Sequence, residues 1–174
     1  MEDLLIKNGT VIDGSGGERF IADVSVKDGV ITGVGSNLGR ASRTIEAGGL
    51  LVTPGFVDVH THYDGQVTWD PYLTPSTFHG VTTAIFGNCG VGFAPVRKND
   101  ISYLINLMEG VEDIPGSVLS EGVQFNWESF PEYLDVLSSS SKAIDIGAQV
   151  PHGPLRFYVM GERGADHTAT PSEA

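Results

Sequence analysis

His60 and His62 stand two residues apart in the run Gly55-Phe56-Val57-Asp58-Val59-His60-Thr61-His62. On a strand, residues i and i+2 project to the same side, so two imidazoles converge on one point. A metal ion needs that convergence. Asp58 precedes His60 by the same step and extends the pattern to Asp-x-His-x-His. A metal-bound imidazole commonly has its second nitrogen held by a carboxylate or carbonyl. Asp58 is therefore a candidate to orient a ligand, and Asp64 is another.

Cys89 lies in Gly87-Asn88-Cys89-Gly90, just past a second apolar run, Val81–Phe86. A thiolate is a good zinc ligand. A lone cysteine is also commonly a small buried hydrophobe, and both readings stand on the residues alone. His152, in Val150-Pro151-His152-Gly153, is a candidate contact to substrate or metal, or a structural histidine. His79 falls where a helix should end and suits its dipole. His167 lies in a polar stretch with no assigned role. Arg156 and Tyr158 read as surface or packing residues before they read as binders of an anion. A catalytic zinc site takes about three protein ligands and an open position for water. It also needs a group to handle the proton. No clear general base is present, so one is expected beyond residue 174.

The elements that must position these residues change style along the chain. Residues 1–52 read as short antiparallel strands. Ile21–Lys27 alternates apolar and polar, then Asp28-Gly29 precedes Val30-Ile31-Thr32, a strong two-residue hairpin signal. Asn8-Gly9 and Asp13-Gly14 repeat the pattern, and Gly48-Gly49 between Thr44–Ala47 and Leu50–Val52 suggests another hairpin. From residue 53 onward, Gly55–His60, Val81–Phe86 and Ala143–Val150 read as buried parallel strands. Thr74-Pro75-Ser76 looks like a helix start and Gly80 like its stop. Asn99 and Asp100 should cap a helix with Leu104, Leu107, Met108 and Val111 on one face. Residues 112–126 read as a loop, and Ser129…Glu132 as a capping box before Phe130, Leu134 and Leu137. Strands alternating with helices imply a parallel sheet, open or closed into a barrel. Thr170-Pro171-Ser172-Glu173-Ala174 spells one more helix start, so the chain reads as ending before its architecture is complete.

Composition bounds the rest. The chain has 174 residues, 40% hydrophobic and 18% charged, which places it among globular proteins. Its 23 glycines exceed the ~7% average and forecast many tight turns. The formal net charge of −12 argues against nucleic acid or an anionic membrane surface as partner. No apolar run approaches a transmembrane span. The acidic start Met1-Glu2-Asp3 is unlike a secretory signal, and one cysteine forms no internal disulfide. A cytoplasmic protein is the simplest expectation.

The stretch Val52–His62 resembles the first barrel strand of the amidohydrolase superfamily. Gly80-Val81-Thr82-Thr83 followed by Gly87-Asn88-Cys89-Gly90 resembles a narrower group, the N-acyl-D-amino-acid deacylases, or D-aminoacylases. Asn8-Gly9-Thr10-Val11-Ile12-Asp13-Gly14 and Pro151-His152-Gly153-Pro154-Leu155-Arg156 fit the same group. The resemblance implies an α/β chain. Residues 1–52 would belong to an N-terminal β-sandwich. Residues 53–174 would form the first part, about three βα units, of a metal-dependent (β/α)8 TIM barrel. It implies one or two zinc ions, with His60 and His62 at one position and Cys89 able to bridge two. Two later histidines and a proton-accepting aspartate of the family have no match here. A full barrel takes ~250 residues, so the remainder of the barrel would be missing.

The activity so implied is hydrolysis of a non-peptide carbon–nitrogen bond in a small-molecule acylated amino acid, an N-acyl-D-amino acid. The alternatives are a cyclic-amide hydrolase of the dihydropyrimidinase or dihydroorotase kind, or a catalytically inactive truncated fragment. The 174-residue chain alone is expected to be inactive.

Overall fold

A computed structural model describes every residue except Asp113 and Ser172–Ala174, with Glu112 described in its backbone only. The helix start expected at Thr170–Ala174 therefore lies largely outside the described residues. The chain divides into two compact units, Met1–Pro54 and Gly55–Ala174.

The first unit is one five-stranded sheet. Its strands are β1 (Glu2–Val11), β2 (Phe20–Lys27), β3 (Val30–Gly35), β4 (Ala41–Glu46) and β5 (Leu51–Val52). The path runs β3-β2-β1-β4, with β5 also on β1. Asp28 and Gly29 turn β2 into β3 with φ of 50° and 76°, the positive values a two-residue hairpin requires. Val11, Ala22 and Val24 form its small core, with Ile6 and Val52 packed on them.

Two sequence expectations fail in this unit. Asn8-Gly9 is no hairpin turn: β1 runs straight through it, and its pairing with β2 shifts between Ile6 and Gly9. Asn8 takes φ 59°, and its N–H donates to Asp23 Oδ1 at 2.9 Å. The Asx-Gly signal here marks a bulge. Gly48-Gly49 makes no hairpin either. β4 and β5 both pair parallel to β1, along Glu2–Lys7 and Thr10–Val11 respectively. The turn displaces the chain without reversing it.

The second unit is a parallel sheet in the order β6-β7-β8, comprising Phe56–Thr61, Val81–Phe86 and Asp145–Ala148. Helices α1 (Ile101–Glu112), α2 (Gly116–Gly122) and α3 (Phe130–Ser138) lie between β7 and β8 in the chain, and α4 (His152–Met160) follows β8. Leu104 and Met108 of α1, Leu119 of α2, and Tyr133 and Leu137 of α3 share one core with Ala84 and Phe86 of β7. Buried Trp127 donates Nε1–H to the Phe93 carbonyl at 2.8 Å, which satisfies its polar edge. Ser129 caps α3, and the reciprocal capping box with Glu132 is complete.

Local signals are overridden in this unit as well. The expected helix after Thr74 is a single 3-10 turn, Ser76–His79, ended by left-handed Gly80. So short a turn has little dipole for His79 to complement. Residues 112–126 contain α2, because Leu119 finds a core to enter. Val111 and Leu134, which spacing places on apolar faces, are exposed, while Ile105 and Tyr133 are buried. The apolar run of β6 predicts a buried strand, yet Phe56, Val57 and Val59 are about 60% exposed. Among the described residues only β7 pairs with β6, so its apolar run is that of an edge strand.

Tyr133 ties this helical layer to the loop after β6. Its hydroxyl donates to the Asp64 carbonyl at 2.7 Å. Burial first, and then the Asp64 charge, raise its pKa well above the ordinary tyrosine value, so it stays a donor. Tyr133→Phe should lower unfolding stability by about 1–2 kcal/mol, the cost of a buried carbonyl losing its partner. Urea denaturation of the two proteins would measure it, and an unchanged midpoint would refute the role.

Candidate metal centre

Three donors meet at the carboxyl ends of β6 and β7. The ligand atoms of His60, His62 and Cys89 all lie within 4.8 Å of one another. His60 is the penultimate residue of β6, and His62 lies one past its end. Their rings stack with centroids 5.5 Å apart and planes inclined by 11°. Cys89 comes from the turn after β7 and is an exposed free thiol. Parallel pairing of Thr61 with Phe86 puts both strand ends at one rim, which is how side chains distant in sequence converge.

The donor set suits a borderline-soft cation. A zinc ion bound at ~2.1 Å to nitrogen and ~2.3 Å to sulfur holds tetrahedral ligand atoms ~3.6 Å apart. Closing from 4.8 Å or less requires side-chain movement of at most about 1 Å. The exposed His60 imidazole and Cys89 thiol can make it by rotation toward half-buried His62. Two nitrogens and one sulfur fit zinc, and leave coordination positions for further groups.

The other candidate residues stand at different distances from this chemistry. Asp58 accepts the His60 backbone N–H on Oδ1 at 3.2 Å, so it steadies the strand that carries the ligand. Asp64 is buried, 3% exposed. A Cβ on Gly92 would lie 2.6 Å from its Oδ1, so it packs against the segment that follows Cys89. His152 opens α4 and flanks the Cys89–Gly90 turn: a Cβ built on Gly90 would lie 3.8 Å from the His152 Cβ. Neither Asp64 nor His152 joins the three-donor cluster. Arg156 is committed elsewhere, donating to the carbonyls of Gly164, Asp166 and Ala169 at 2.6–2.8 Å. Tyr158 donates to Glu128 Oε1 at 2.8 Å and lies under Arg97. Both side chains are thus engaged with neighbouring groups of the protein.

Beside the histidines is a cleft of about 350 Å³ lined by Asp58, His60, Thr61, His62, Tyr63, Gln66, Ser76 and Ile114. A groove of about 730 Å³ near Trp127 is larger, but it holds none of the metal donors. The cleft wall is built by the loop between β6 and β7, a segment without a functional motif in the sequence. Tyr63 and Ser76 share a hydroxyl–hydroxyl hydrogen bond of 2.6 Å. Gln66 donates to Asp70 Oδ2 at 2.9 Å and to the Thr74 carbonyl at 2.6 Å. Asp70 also accepts from the Thr74 N–H and hydroxyl and from the Tyr72 N–H. Asp70-Pro71 followed by Thr74-Pro75 is the signal that could have found this wall, since aspartate before such residues often gathers turn N–H groups.

A profile of the amidohydrolase family matches residues 43–174. The chain belongs to the amidohydrolase family. It is 36% identical over 159 residues to a D-aminoacylase of Alcaligenes xylosoxydans xylosoxydans, which covers 91% of this chain and 31% of that protein. A solved D-aminoacylase superposes with a TM-score of 0.76 at 34% identity, covering 93% of this chain and 32% of the other. An N-acyl-D-glutamate deacylase from Bordetella bronchiseptica, solved with zinc and a phosphonate inhibitor, superposes with a TM-score of 0.69 at 30% identity. This chain covers 32% of that deacylase, and 92% of this chain is matched. The chain thus spans about a third of the length of these relatives. Among the described residues no helix is long and apolar enough to cross a membrane.

Asp70 makes the loop of this amidohydrolase pH-sensitive. Partial burial pushes its pKa up, but the hydrogen bonds from Gln66, Thr74 and Tyr72 outweigh it and hold the carboxyl at about 2, down from 3.8. A depressed folded value means a stabilising contribution that is present above about pH 4 and lost as pH falls through about 2. Asp70→Asn should therefore be less stable than the native protein at pH 7, and the gap should narrow between about pH 4 and 2. Urea midpoints across that range test it; a gap independent of pH would refute it.

Proposed function

We propose that this chain carries part of the metal centre of a zinc-dependent amidohydrolase that deacylates N-acyl-D-amino acids. The observation that carries the proposal is the convergence of His60, His62 and Cys89 within 4.8 Å, in a chain matched over nine-tenths of its length by D-aminoacylase. That relative has a binuclear metal center with one-metal activation and second-metal attenuation, so one or two zinc ions are proposed here. In the same reading, residues 1–52 contribute a sheet to a β-sandwich, and residues 53–174 supply the first strands of a TIM barrel. The enzyme is read as cytoplasmic, acting on a small acylated amino acid.

Each residue has its own part in this reading. His60, His62 and Cys89 hold the metal. When bound there, zinc polarises an acyl carbonyl and lowers the pKa of water toward ~7. Asp58 keeps the His60 backbone from shifting as charge develops. Asp64 and His152 support the segment around Cys89 through their packing at Gly92 and Gly90, and His152 is exposed enough to meet substrate. The cleft lined by Tyr63, Gln66 and Ser76 offers hydroxyl and amide groups to a polar substrate. A group to accept the proton is assigned to the two-thirds of the relatives' length that this chain does not span.

Two measurements test this. The 174-residue chain should bind zinc, and Cys89→Ala or His60→Ala should weaken binding by about tenfold or more, read by competition with a chromogenic chelator. The polypeptide translated from the complete reading frame containing this chain should release D-amino acid from N-acetyl-D-amino acids. Turnover should fall at least about 100-fold in Cys89→Ala, the scale of losing an electrostatic stabiliser. A zinc-loaded protein without activity on any N-acyl-D-amino acid would overturn the substrate assignment.

A further inference from the structure

The metal-ligand motif contains a residue with no assigned role. Asn88 precedes Cys89, and its Nδ2–H donates to the backbone carbonyl of Val59 on β6. Val59 is the immediate neighbour of His60. We propose that Asn88 is a positioning residue that sets the distance between Cys89 and the histidine pair. The inference rests on the metal centre proposed above.

Three features of the backbone lead to this. The first is the turn. Gly90 N–H donates to the Gly87 carbonyl at 3.1 Å, which puts Asn88 and Cys89 at its two corners. The side chains of two adjacent corner residues share one rigid frame, so anchoring one fixes the other. The second is the bedding of that turn on the side away from β6. A Cβ on Gly87, whose φ is 84°, would lie 2.3 Å from the Gln149 carbonyl oxygen. The Gly153 N–H donates to the Gly90 carbonyl at 2.8 Å. These contacts seat the turn against the β8–α4 connection. Pairing of Thr61 with Phe86 sets the base of the turn against β6, and the Asn88 side chain ties its corner there.

The third is an irregularity in β6 itself. Asp58 pairs with Ala84 and Thr61 with Phe86, so three steps on β6 oppose two on β7. The extra residue falls at Val59–His60. A bulge disrupts regular ladder pairing and re-aims the neighbouring side chain. Asn88 supplies a donor to the carbonyl at that irregular position. One amide group therefore links the thiol-bearing turn to the bulge that aims His60. Thr61 makes a second cross-strand tie, its hydroxyl donating to the Ile85 carbonyl at 2.9 Å, but that tie lies within the ladder and does not reach the Cys89 turn.

The test uses the 174-residue chain and two metals. Zinc affinity is read by chelator competition. Cobalt(II) is read by its thiolate-to-metal charge-transfer absorption, which reports bonding by Cys89 specifically. Asn88→Ala should bind zinc about 10–100-fold more weakly, the usual cost of losing an outer support of a metal site. The cobalt charge-transfer band should weaken, while the circular dichroism of the metal-free protein stays native. Glu132→Ala, which breaks the remote capping box, serves as the control: it should lower stability without changing zinc affinity or the band. Should Asn88→Ala fail to fold, Asn88→Ser is read instead, because serine suits a turn yet is too short to reach Val59. Native zinc affinity and a native band in the folded variant would overturn the positioning role. So would a zinc loss equal to that of Glu132→Ala. A native chain that binds neither metal would overturn the metal centre itself, and with it this inference.

Discussion

Everything at this site depends on the parallel pairing of β6 with β7. Antiparallel neighbours would place His60 and Cys89 at opposite ends of the strands. Parallel neighbours put the carboxyl ends of both strands at one rim, where loops are free to carry chemistry. The register matters as much as the direction. Thr61 opposite Phe86 brings the residues just beyond each strand to the same height. From there the short turn Gly87–Gly90 is enough to carry a thiol to two imidazoles.

The rest of the second unit serves to hold that rim from one side. α1, α2 and α3 pack Leu104, Met108, Leu119 and Tyr133 against Ala84 and Phe86 of β7. The central strand is thereby fixed, and the loops at its end inherit its rigidity. β6 is less enclosed, and its stiffness comes from specific polar ties. Asp58 holds the His60 N–H, Thr61 holds Ile85, and Asn88 holds Val59. This division has a physical logic. Metal ligands need lone pairs that face an open rim, where a metal can reach them. An accessible strand loses the packing that would otherwise order it, so hydrogen bonds take over. Asp70 plays the same part in the loop that walls the cleft, gathering four donors onto one carboxylate.

Much of the candidate site is legible in the sequence. Asp-x-His-x-His at a strand end and a cysteine between glycines after the next strand are patterns with a local cause. So are the Asp28-Gly29 hairpin and the Ser129–Glu132 capping box, each decided by residues close together in the chain. Where local signals fail, a distant partner overrides them. Asn8-Gly9 has hairpin chemistry, but β4 and β5 pair along the same edge of β1 and keep the strand running. Leu119 sits in a stretch rich in proline and glycine, yet the core beside Trp127 accepts it and a helix forms. Val57 and Val59 look like core residues, yet among the described residues their strand has one neighbour.

The sequence by itself determined which atoms are available for metal chemistry, and in which short segments, because residue type and close spacing are local properties. It also determined most turns and caps, for the same reason. Only the tertiary structure decided that His60, His62 and Cys89 share one point, that Asp64 and His152 stand beside it, and that Arg156 is spent on carbonyls. Those outcomes turn on strand order, register and the bulge at Val59. Each is set by the balance of contacts between segments far apart in the chain, and no window of sequence contains that balance.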